Sequence, residues 1–313
     1  MHKRQIILFG PPGTGKSYII RNHFANQLNV DNDTMFETTF HPSYTYSNFI
    51  GKIVPIKDPG GNIEYRYMPG IFLKALAKAY ALYNRGKNVL LIIDEINRGE
   101  ATKIFGDIFQ LLDRNESGWS EYAITLNDDV KEALLSLLAQ EQKLFIKYDK
   151  DNSILQNNKI KLPPNLYIIA TMNTSDESIY YMDSAFKRRW HWEYHNDGLK
   201  DFSDELNKYV RAFWSEIRQQ VHTLMRENSR AIHKIEDKLF GEFFLKKYER
   251  DFYSFRGRLM FFLWDSVFDR SKKPLREFLG LEERDLQTFG DFTNHADKFL
   301  NNLIEKYYSK YNI

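Results

Sequence analysis

The sequence predicts an α/β fold, in which a parallel sheet flanked by helices is followed by a smaller, all-helical domain. Three observations predict it. Short apolar strands alternate with helical stretches over residues 4–195, which is typical of a parallel sheet with helices on both faces. A glycine-rich loop directly follows the first of these strands and opens a helix. Beyond about residue 196, the periodic stretches have helical spacing.

Composition limits the classes of protein that fit. The 313 residues, 42% of them hydrophobic, can bury one large core or two ordinary ones. No cysteine is present, which excludes disulfides and thiol chemistry and favours a reducing, cytoplasmic setting. No apolar run approaches the roughly 20 residues of a membrane span, and we expect neither a membrane segment nor a signal peptide. The net charge of +2 is too small to indicate DNA binding by itself, so any DNA contact is expected to be local or to come through a partner.

The first strand, "RQIILF", runs into residues 10–17, "GPPGTGKS", and then into the helical stretch "YIIRNHFANQL". This loop fits the phosphate-binding pattern, in which glycines let backbone N–H groups converge on phosphate oxygens at a helix N-terminus. Lys16 is expected to reach the β and γ phosphates, and Ser17 to supply a hydroxyl to Mg²⁺. The predicted nucleotide-binding residues are Gly10, Pro11, Pro12, Gly13, Thr14, Gly15, Lys16, Ser17 and Tyr18.

A strand over residues 35–41 and a helix over residues 72–86 precede a buried strand, "NVLLIIDE", that ends in two acids. Asp94 is expected to hold the water shell of Mg²⁺, and Glu95 to orient or deprotonate an attacking water. The alternative is an acidic strand end that merely faces solvent. It is disfavoured, because five apolar residues before Asp-Glu and a phosphate loop in one chain are a much rarer combination than either alone.

A helix, "ATKIFGDIFQLLD", is followed by an irregular stretch, which we interpret as a surface insertion over about residues 115–165. Within it, "DVKEALLSLLAQEQ" predicts a helix and "KLFIKYD" a strand. The lysines of residues 143–162 are expected to lie in a solvated loop, with a hairpin facing DNA or a partner as the alternative.

The next strand, "LYIIATMN", ends in the polar run "MNTSDES". Because ligands bind beyond the carboxyl ends of parallel strands, Asn173 is expected beside the γ-phosphate, with Asp176 orienting a partner group. Thr174 and Glu177 are spaced to cap the helix "IYYMDSAFKRR", and capping alone is the alternative interpretation of the run.

That helix ends in Arg188 and Arg189, before a last core strand, "WHWEYH". Cations stabilise a helix C-terminus in any case. Two adjacent arginines at this place favour an arginine finger, which reaches the γ-phosphate of a neighbouring subunit.

We place the domain boundary at "NDGLKD", with a nucleotide-binding core over residues 1–198 and a helical lid over residues 199–313. Four stretches of the lid predict helices: "LNKYVRAFWSEIRQQVHTLMRE", "EDKLFGEFFLKKY", "GRLMFFLWDSVFD" and "HADKFLNNLIEKYYSKY".

In this order, the motifs resemble the AAA+ class of ring-forming P-loop NTPases, with the Walker A, Walker B, sensor 1 and arginine-finger positions matched. More narrowly, the chain resembles the McrB family, the GTP-dependent motor subunits of modification-dependent restriction systems. The resemblance is close over residues 4–195 and looser in the lid. It is carried by "TFHPSYTYSNFIGKIVP", "MPGIFLKAL", "DEINR", "MNTSDES" and "DSAFKRRW".

The resemblance implies GTP with Mg²⁺, a homo-oligomeric, hexameric ring, and a McrC-like nuclease partner that cuts DNA. It places Lys16 and Ser17 on phosphate and metal, and Arg188 or Arg189 in trans. Glu177 departs from the family, since many relatives have arginine there. Because the chain starts at the phosphate loop, we expect DNA recognition to lie in another chain or in a segment trimmed from this one.

Two alternatives stay open from the residues. One is an ATP-driven remodelling protein of the MoxR or dynein-related type, because no Asn-Lys-x-Asp guanine-reading motif is present. The other is a nucleotide-gated assembly subunit that turns over little without its partner. A small-molecule P-loop kinase is disfavoured, since it would not need Asn173, the two arginines or a helical lid.

Overall fold

The structure is a computed structural model that describes residues 3–140, 158–173, 180, 182–195 and 204–311. The chain divides into two compact units, Met1–Trp190 and His191–Ile313. The first is an α/β unit and the second is mainly helical, which confirms the predicted fold class. The division falls a few residues before the predicted boundary.

The first unit contains eight strands within the described residues. They are β1 (Gln5–Gly10), β2 (Met35–Thr39), β3 (Gly51–Lys57), β4 (Ile63–Pro69), β5 (Val89–Asp94), β6 (Ile124–Thr125), β7 (Lys159–Ile160) and β8 (Leu166–Asn173). Four of them run parallel in the order β2, β5, β8, β1. In this register Gly10 lies opposite Asn173, and Thr39 opposite Asp94. The carboxyl ends of all four strands therefore meet at one edge of the sheet.

The helices of the first unit are α1 (Lys16–Ile19), α2 (Ala25–Leu28), α3 (Tyr46–Phe49), α4 (Ile71–Leu82), α5 (Ala101–Phe105), α6 (Asp128–Gln140) and α7 (Ser184–Lys187). A π-helical segment, Ile20–Phe24, joins α1 to α2. Its buried residues and those of α2 pack on Ile6, Leu8 and Ile92 of the sheet. This packing fixes the helix that begins at the phosphate loop, and so fixes the loop itself.

Two predicted helices are shorter than expected. The stretch "ATKIFGDIFQLLD" leaves the α-helix at Phe105 and continues as 3-10 turns over Gly106–Leu112, because Gly106 takes a positive φ of 50°. In "IYYMDSAFKRR" the helix begins only at Ser184, since the Asp183 carboxylate caps it by accepting a hydrogen bond from Phe186 N at 2.7 Å. The proposed cap at Thr174 and Glu177 and the strand "KLFIKYD" lie outside the described residues.

Sequence analysis missed the antiparallel hairpin of β3 and β4. Its turn is closed by the Asp58 carboxylate, which accepts hydrogen bonds from the backbone N and the side-chain amide of Asn62. Gly61 in this turn has a φ of 85°. The signal was present, because "DPGGN" between two alternating stretches is typical of a hairpin.

Arg114 anchors the amino-terminal ends of the sheet strands, away from the edge described above. Its guanidinium is buried and donates to the Gln5 side chain and to the carbonyls of Gly118, Leu162, Pro163 and Leu166. Burial lowers the pKa of Arg114 to about 9, so the group remains charged at neutral pH. The carbonyl oxygens satisfy this charge and hold the start of the insertion against the sheet.

The second unit opens with β9 (His191–Tyr194), which was predicted as the last strand of the core. Its helices are α8 (Asp204–Ala212), α9 (Trp214–Glu227), α10 (Phe252–Ser254), α11 (Lys273–Leu279), α12 (Phe289–Asn294) and α13 (Ala296–Tyr311), with π-helical segments at Phe255–Met260 and Phe262–Val267. The helix predicted for "EDKLFGEFFLKKY" is wrong, since that stretch forms separate 3-10 turns. Leu239 and Gly241 adopt extended backbone between the turns.

The core of the second unit is rich in buried aromatic side chains. Trp192 of β9 stacks on Phe261, with ring centroids 4.1 Å apart. The neighbouring Glu193 accepts a hydrogen bond from the hydroxyl of Tyr253, and burial raises the pKa of this carboxyl. Within the described residues, no helix of either unit is long and apolar enough to cross a membrane.

Candidate nucleotide-binding site

The phosphate loop turns sharply into helix α1. Gly13 and Gly15 have φ values of 78° and 80°, in the left-handed region that side chains with a Cβ rarely adopt. Gly15 is the residue directly before α1. The loop can therefore curl over the N-terminus of the helix, where backbone N–H groups and the helix dipole favour an anion.

Lys16 folds across this loop and is 94% buried, at 6% exposure. Its Nζ donates to the carbonyl oxygens of Gly10 at 3.1 Å and Pro11 at 2.6 Å. The Thr14 hydroxyl donates to the same Pro11 carbonyl at 3.0 Å. A phosphate oxygen is a stronger, charged acceptor than these carbonyls, so the ammonium group is placed to exchange them for a phosphate.

Two hydroxyl side chains meet at the Asp94 carboxylate, so that three oxygen-bearing side chains lie together. Its Oδ1 accepts hydrogen bonds from Ser17 Oγ at 2.9 Å and from Thr171 Oγ1 at 3.0 Å. The three residues come from α1, β5 and β8, which the register of the sheet brings together. Mg²⁺ prefers such hard oxygen ligands, and Ser17 and Asp94 fit the role predicted for them.

The residues alone do not complete a metal site. In the part of the chain that the structure describes, no three His, Asp or Glu side chains group closely enough to hold a metal ion. Mg²⁺ usually binds proteins through one or two carboxylates, together with substrate phosphates and waters. A nucleotide would therefore have to supply the remaining oxygens.

Glu95 lies beside Asn173, since the carboxyl ends of β5 and β8 are neighbours in the sheet. The Asn173 Nδ2 donates to Glu95 Oε1 at 2.7 Å, and Arg98 Nε lies 3.6 Å from Glu95 Oε2. Glu95 itself has left-handed backbone, with a φ of 56°, and its N–H donates to Thr171 Oγ1 at 3.1 Å. The left-handed turn directs the chain away from β5 immediately after the two acids.

Asn97 ties the ends of the two strands together and was not anticipated. It is fully buried, and its Nδ2 donates to the Asn173 carbonyl at 3.1 Å. The Asn97 backbone carbonyl accepts a hydrogen bond from Tyr180 N at 2.9 Å. No sequence signal indicated this role beyond a polar residue two positions after Glu95.

Arg21 is a second residue that sequence analysis missed. Its Nη2 donates to Asp94 Oδ2 at 3.0 Å, on the carboxylate oxygen that Ser17 does not use. It also forms a bidentate ion pair with Glu37 of β2, and this hydrogen bonding raises the pKa of the guanidinium. The available signal was spacing, since Arg21 follows Ser17 by four residues on a helical face.

The two candidate finger arginines differ in their surroundings. The Arg189 side chain is only 9% exposed and forms an ion pair with Asp113 at 2.9 Å. It also donates a hydrogen bond to the Ala185 carbonyl at 2.6 Å, and its guanidinium lies over the Phe109 ring. Burial lowers its pKa. Arg188, by contrast, is exposed. The remaining predicted site residue, Asp176, lies outside the described residues.

A phosphate loop, an Asp-Glu strand end and a polar strand end that meet at one edge of a parallel sheet are the features of a P-loop nucleoside triphosphatase. Residues 5–190 match the family model described as AAA domain (dynein-related subfamily). The chain therefore belongs to this AAA family and, within it, to the McrB-like AAA proteins of restriction systems.

Two curated relatives support the narrower assignment. The Type II restriction enzyme BsuMI component YdiS of Bacillus subtilis is 36% identical over 317 residues, covering 88% of this chain and 82% of the relative. The Type IV methyl-directed restriction enzyme EcoKMcrB subunit of Escherichia coli is 30% identical over 192 residues. That match covers 60% of this chain but only 34% of the longer relative.

Proposed function

We propose that this chain is a GTP-hydrolysing motor subunit, which forms a hexameric ring and drives a McrC-like nuclease in modification-dependent DNA restriction. The observation that carries the proposal is the meeting of Ser17, Asp94, Glu95 and Asn173 at one edge of the sheet. In a McrB-like AAA protein, nucleotide hydrolysis at this edge of the sheet would drive the motor.

Each side chain has a defined task in the proposed reaction. Lys16 would bind the β and γ phosphates, and Ser17 and Asp94 would hold Mg²⁺. When bound, Mg²⁺ neutralises charge that develops on the phosphates. Glu95 would orient the attacking water and accept its proton, while Asn173 holds the Glu95 carboxylate in place at 2.7 Å. Asp176 would orient a neighbouring group.

The proposed arginine finger is Arg188 rather than Arg189. A finger has to leave its own subunit and meet the γ-phosphate of a neighbour. Arg189 would first have to give up its ion pair with Asp113 and its contact with Phe109. Arg188 is exposed beside it, so its side chain does not have to leave a buried position to reach a neighbouring subunit.

GTP is proposed from the relation to McrB-like proteins, and not from a base-reading contact. The alternative is an ATP-driven remodelling protein of the MoxR or dynein-related type, and the matching family model carries the dynein-related description. A subunit that binds nucleotide and assembles, but turns over little without its partner, is the second alternative.

The names of the two relatives bear on the DNA substrate. One is a type II component, and the other belongs to a methyl-directed type IV enzyme. Dependence on a DNA modification is proposed from the second. Contact with DNA would be made through the assembly or through another chain.

The proposal is tested by combining the purified chain with a McrC-like nuclease from the same organism. We expect the nuclease to stimulate GTP hydrolysis and the mixture to cut DNA that carries 5-methylcytosine. The Lys16→Ala variant is the matched control and should lose both activities. Cutting of unmodified DNA alone would contradict modification dependence, and a nuclease that leaves hydrolysis unchanged would contradict the partnership.

A further inference from the structure

The two oxygens of the Asp94 carboxylate have different partners. Oδ1 accepts from the hydroxyls of Ser17 and Thr171, which lie on the side of the phosphate loop and the neighbouring strand. Oδ2 accepts from Arg21 Nη2 at 3.0 Å. Arg21 thus fixes the rotation of the carboxylate that is proposed to face Mg²⁺.

Arg21 is itself held by Glu37. Its Nε lies 3.0 and 3.1 Å from the two Glu37 carboxylate oxygens, and its Nη2 lies 2.8 Å from Oε2. The side chains of Arg21 and Glu37 are 38% and 36% exposed, against 17% for Asp94. The pair therefore lies at the rim of the site, where solvent weakens but does not abolish its electrostatic effect on Asp94 and on a bound cation.

We propose that Arg21 is a positioning residue for Asp94, and that the Arg21–Glu37 ion pair sets how much Mg²⁺ the nucleotide site requires. The inference rests on the proposed nucleotide site. It goes beyond it, because neither Arg21 nor Glu37 belongs to the motifs that define that site. Nothing in the family assignment is needed to place the two residues.

The expected effect on Mg²⁺ binding comes from the balance of charge beside Asp94. As a pair, Arg21 and Glu37 contribute no net charge beside Asp94. Removing the charge of Glu37 leaves the Arg21 cation uncompensated, and like-charge repulsion then opposes Mg²⁺. Removing the charge of Arg21 leaves the Glu37 anion, which attracts Mg²⁺, but Asp94 loses the donor that holds its Oδ2.

The two single changes therefore have opposite expected effects on metal binding. In Glu37→Gln, the Mg²⁺ concentration for half-maximal nucleotide binding should rise about two- to fivefold, the range for partly exposed ion pairs. In Arg21→Gln it should fall by a similar factor, about two- to fivefold, while kcat also falls because Asp94 is less well held. The double variant should return close to the wild-type requirement for Mg²⁺.

The experiment is a Mg²⁺ titration of the binding of a fluorescent GTP analogue to the full chain, with the ATP counterpart measured alongside. Arg21→Lys keeps the charge and should keep the wild-type Mg²⁺ requirement. Arg66 and Glu64 form a comparable exposed ion pair on the β3–β4 hairpin, at 2.8 Å. Arg66→Gln and Glu64→Gln are the matched controls and should leave the titration unchanged.

Opposite shifts in the two variants, with recovery in the double variant, would support the inference. If the ion pair were merely structural, both single variants would shift the Mg²⁺ concentration for half-maximal binding in the same direction. Such a result, or no shift in either variant while the wild type binds nucleotide in a Mg²⁺-dependent way, would overturn the inference and leave the proposed function standing. A wild type with no Mg²⁺-dependent binding would overturn both.

Discussion

Glu95→Gln is expected to lower kcat for nucleotide hydrolysis by about 10²- to 10⁴-fold, the usual contribution of a positioned general base. Glutamine keeps the size of the side chain and an oxygen that can accept the hydrogen bond from Asn173, now at 2.7 Å. It cannot accept a proton from water. Nucleotide affinity should stay close to that of the wild type, because the phosphate-binding residues are unchanged.

Lys16→Ala provides the contrast for this prediction. It removes the ammonium group that lies in the loop, so both nucleotide binding and turnover should be lost while the circular dichroism spectrum stays the same. Hydrolysis and equilibrium binding are measured for both variants. Wild-type turnover in purified Glu95→Gln, with or without the nuclease, would show that Glu95 is not the catalytic base.

Arg188→Ala is expected to lower turnover of the assembled protein by about 10³- to 10⁵-fold, the effect of losing an arginine finger. The variant should fold normally, because Arg188 is exposed. Arg189→Ala should instead lower the melting temperature, since it leaves Asp113 without its buried partner and removes the contact with Phe109.

Mixing the inactive variants tests whether the finger acts in trans. In a mixture, an Arg188→Ala subunit keeps Glu95, and a neighbouring Glu95→Gln subunit can supply Arg188. Partial activity should therefore return when the two variants are combined. Failure of the mixture to exceed either variant alone, under conditions in which both assemble, would contradict action in trans.

The phosphate loop, β5 and β8 could be predicted because a short, contiguous stretch of sequence specifies each of them. "IILF" and "VLLII" are apolar throughout, as strands covered on both faces must be, and a glycine loop or an acid pair marks where each strand ends. The rule that parallel strands end at the same edge then placed the end of β8 beside the ends of β1 and β5 without a structure.

Contacts between distant parts of the chain could not be predicted in this way. Arg21 meets Asp94 across 73 positions, and Glu37 joins them from a third element. Their pairing depends on the register of β2 against β5, which the sequence pattern does not specify. The difference between Arg188 and Arg189 likewise depends on Asp113, 76 positions before Arg189.

Helical periodicity gave wrong predictions where the local backbone conformation or a capping hydrogen bond favoured another structure. "EDKLFGEFFLKKY" has helical spacing of its apolar residues, yet the extended backbone at Gly241 divides it into turns. In "IYYMDSAFKRR", the Asp183 cap starts the helix late. A side chain that bonds a nearby N–H can set a helix boundary more firmly than a periodic pattern can.

The most direct test of the central claim is the steady-state hydrolysis of GTP and ATP, measured side by side with Mg²⁺ over a range of protein concentrations. A GTP-driven ring with a finger in trans should prefer GTP, and its turnover per subunit should rise with concentration as subunits assemble. A preference for ATP, with turnover per subunit independent of concentration, would contradict the account.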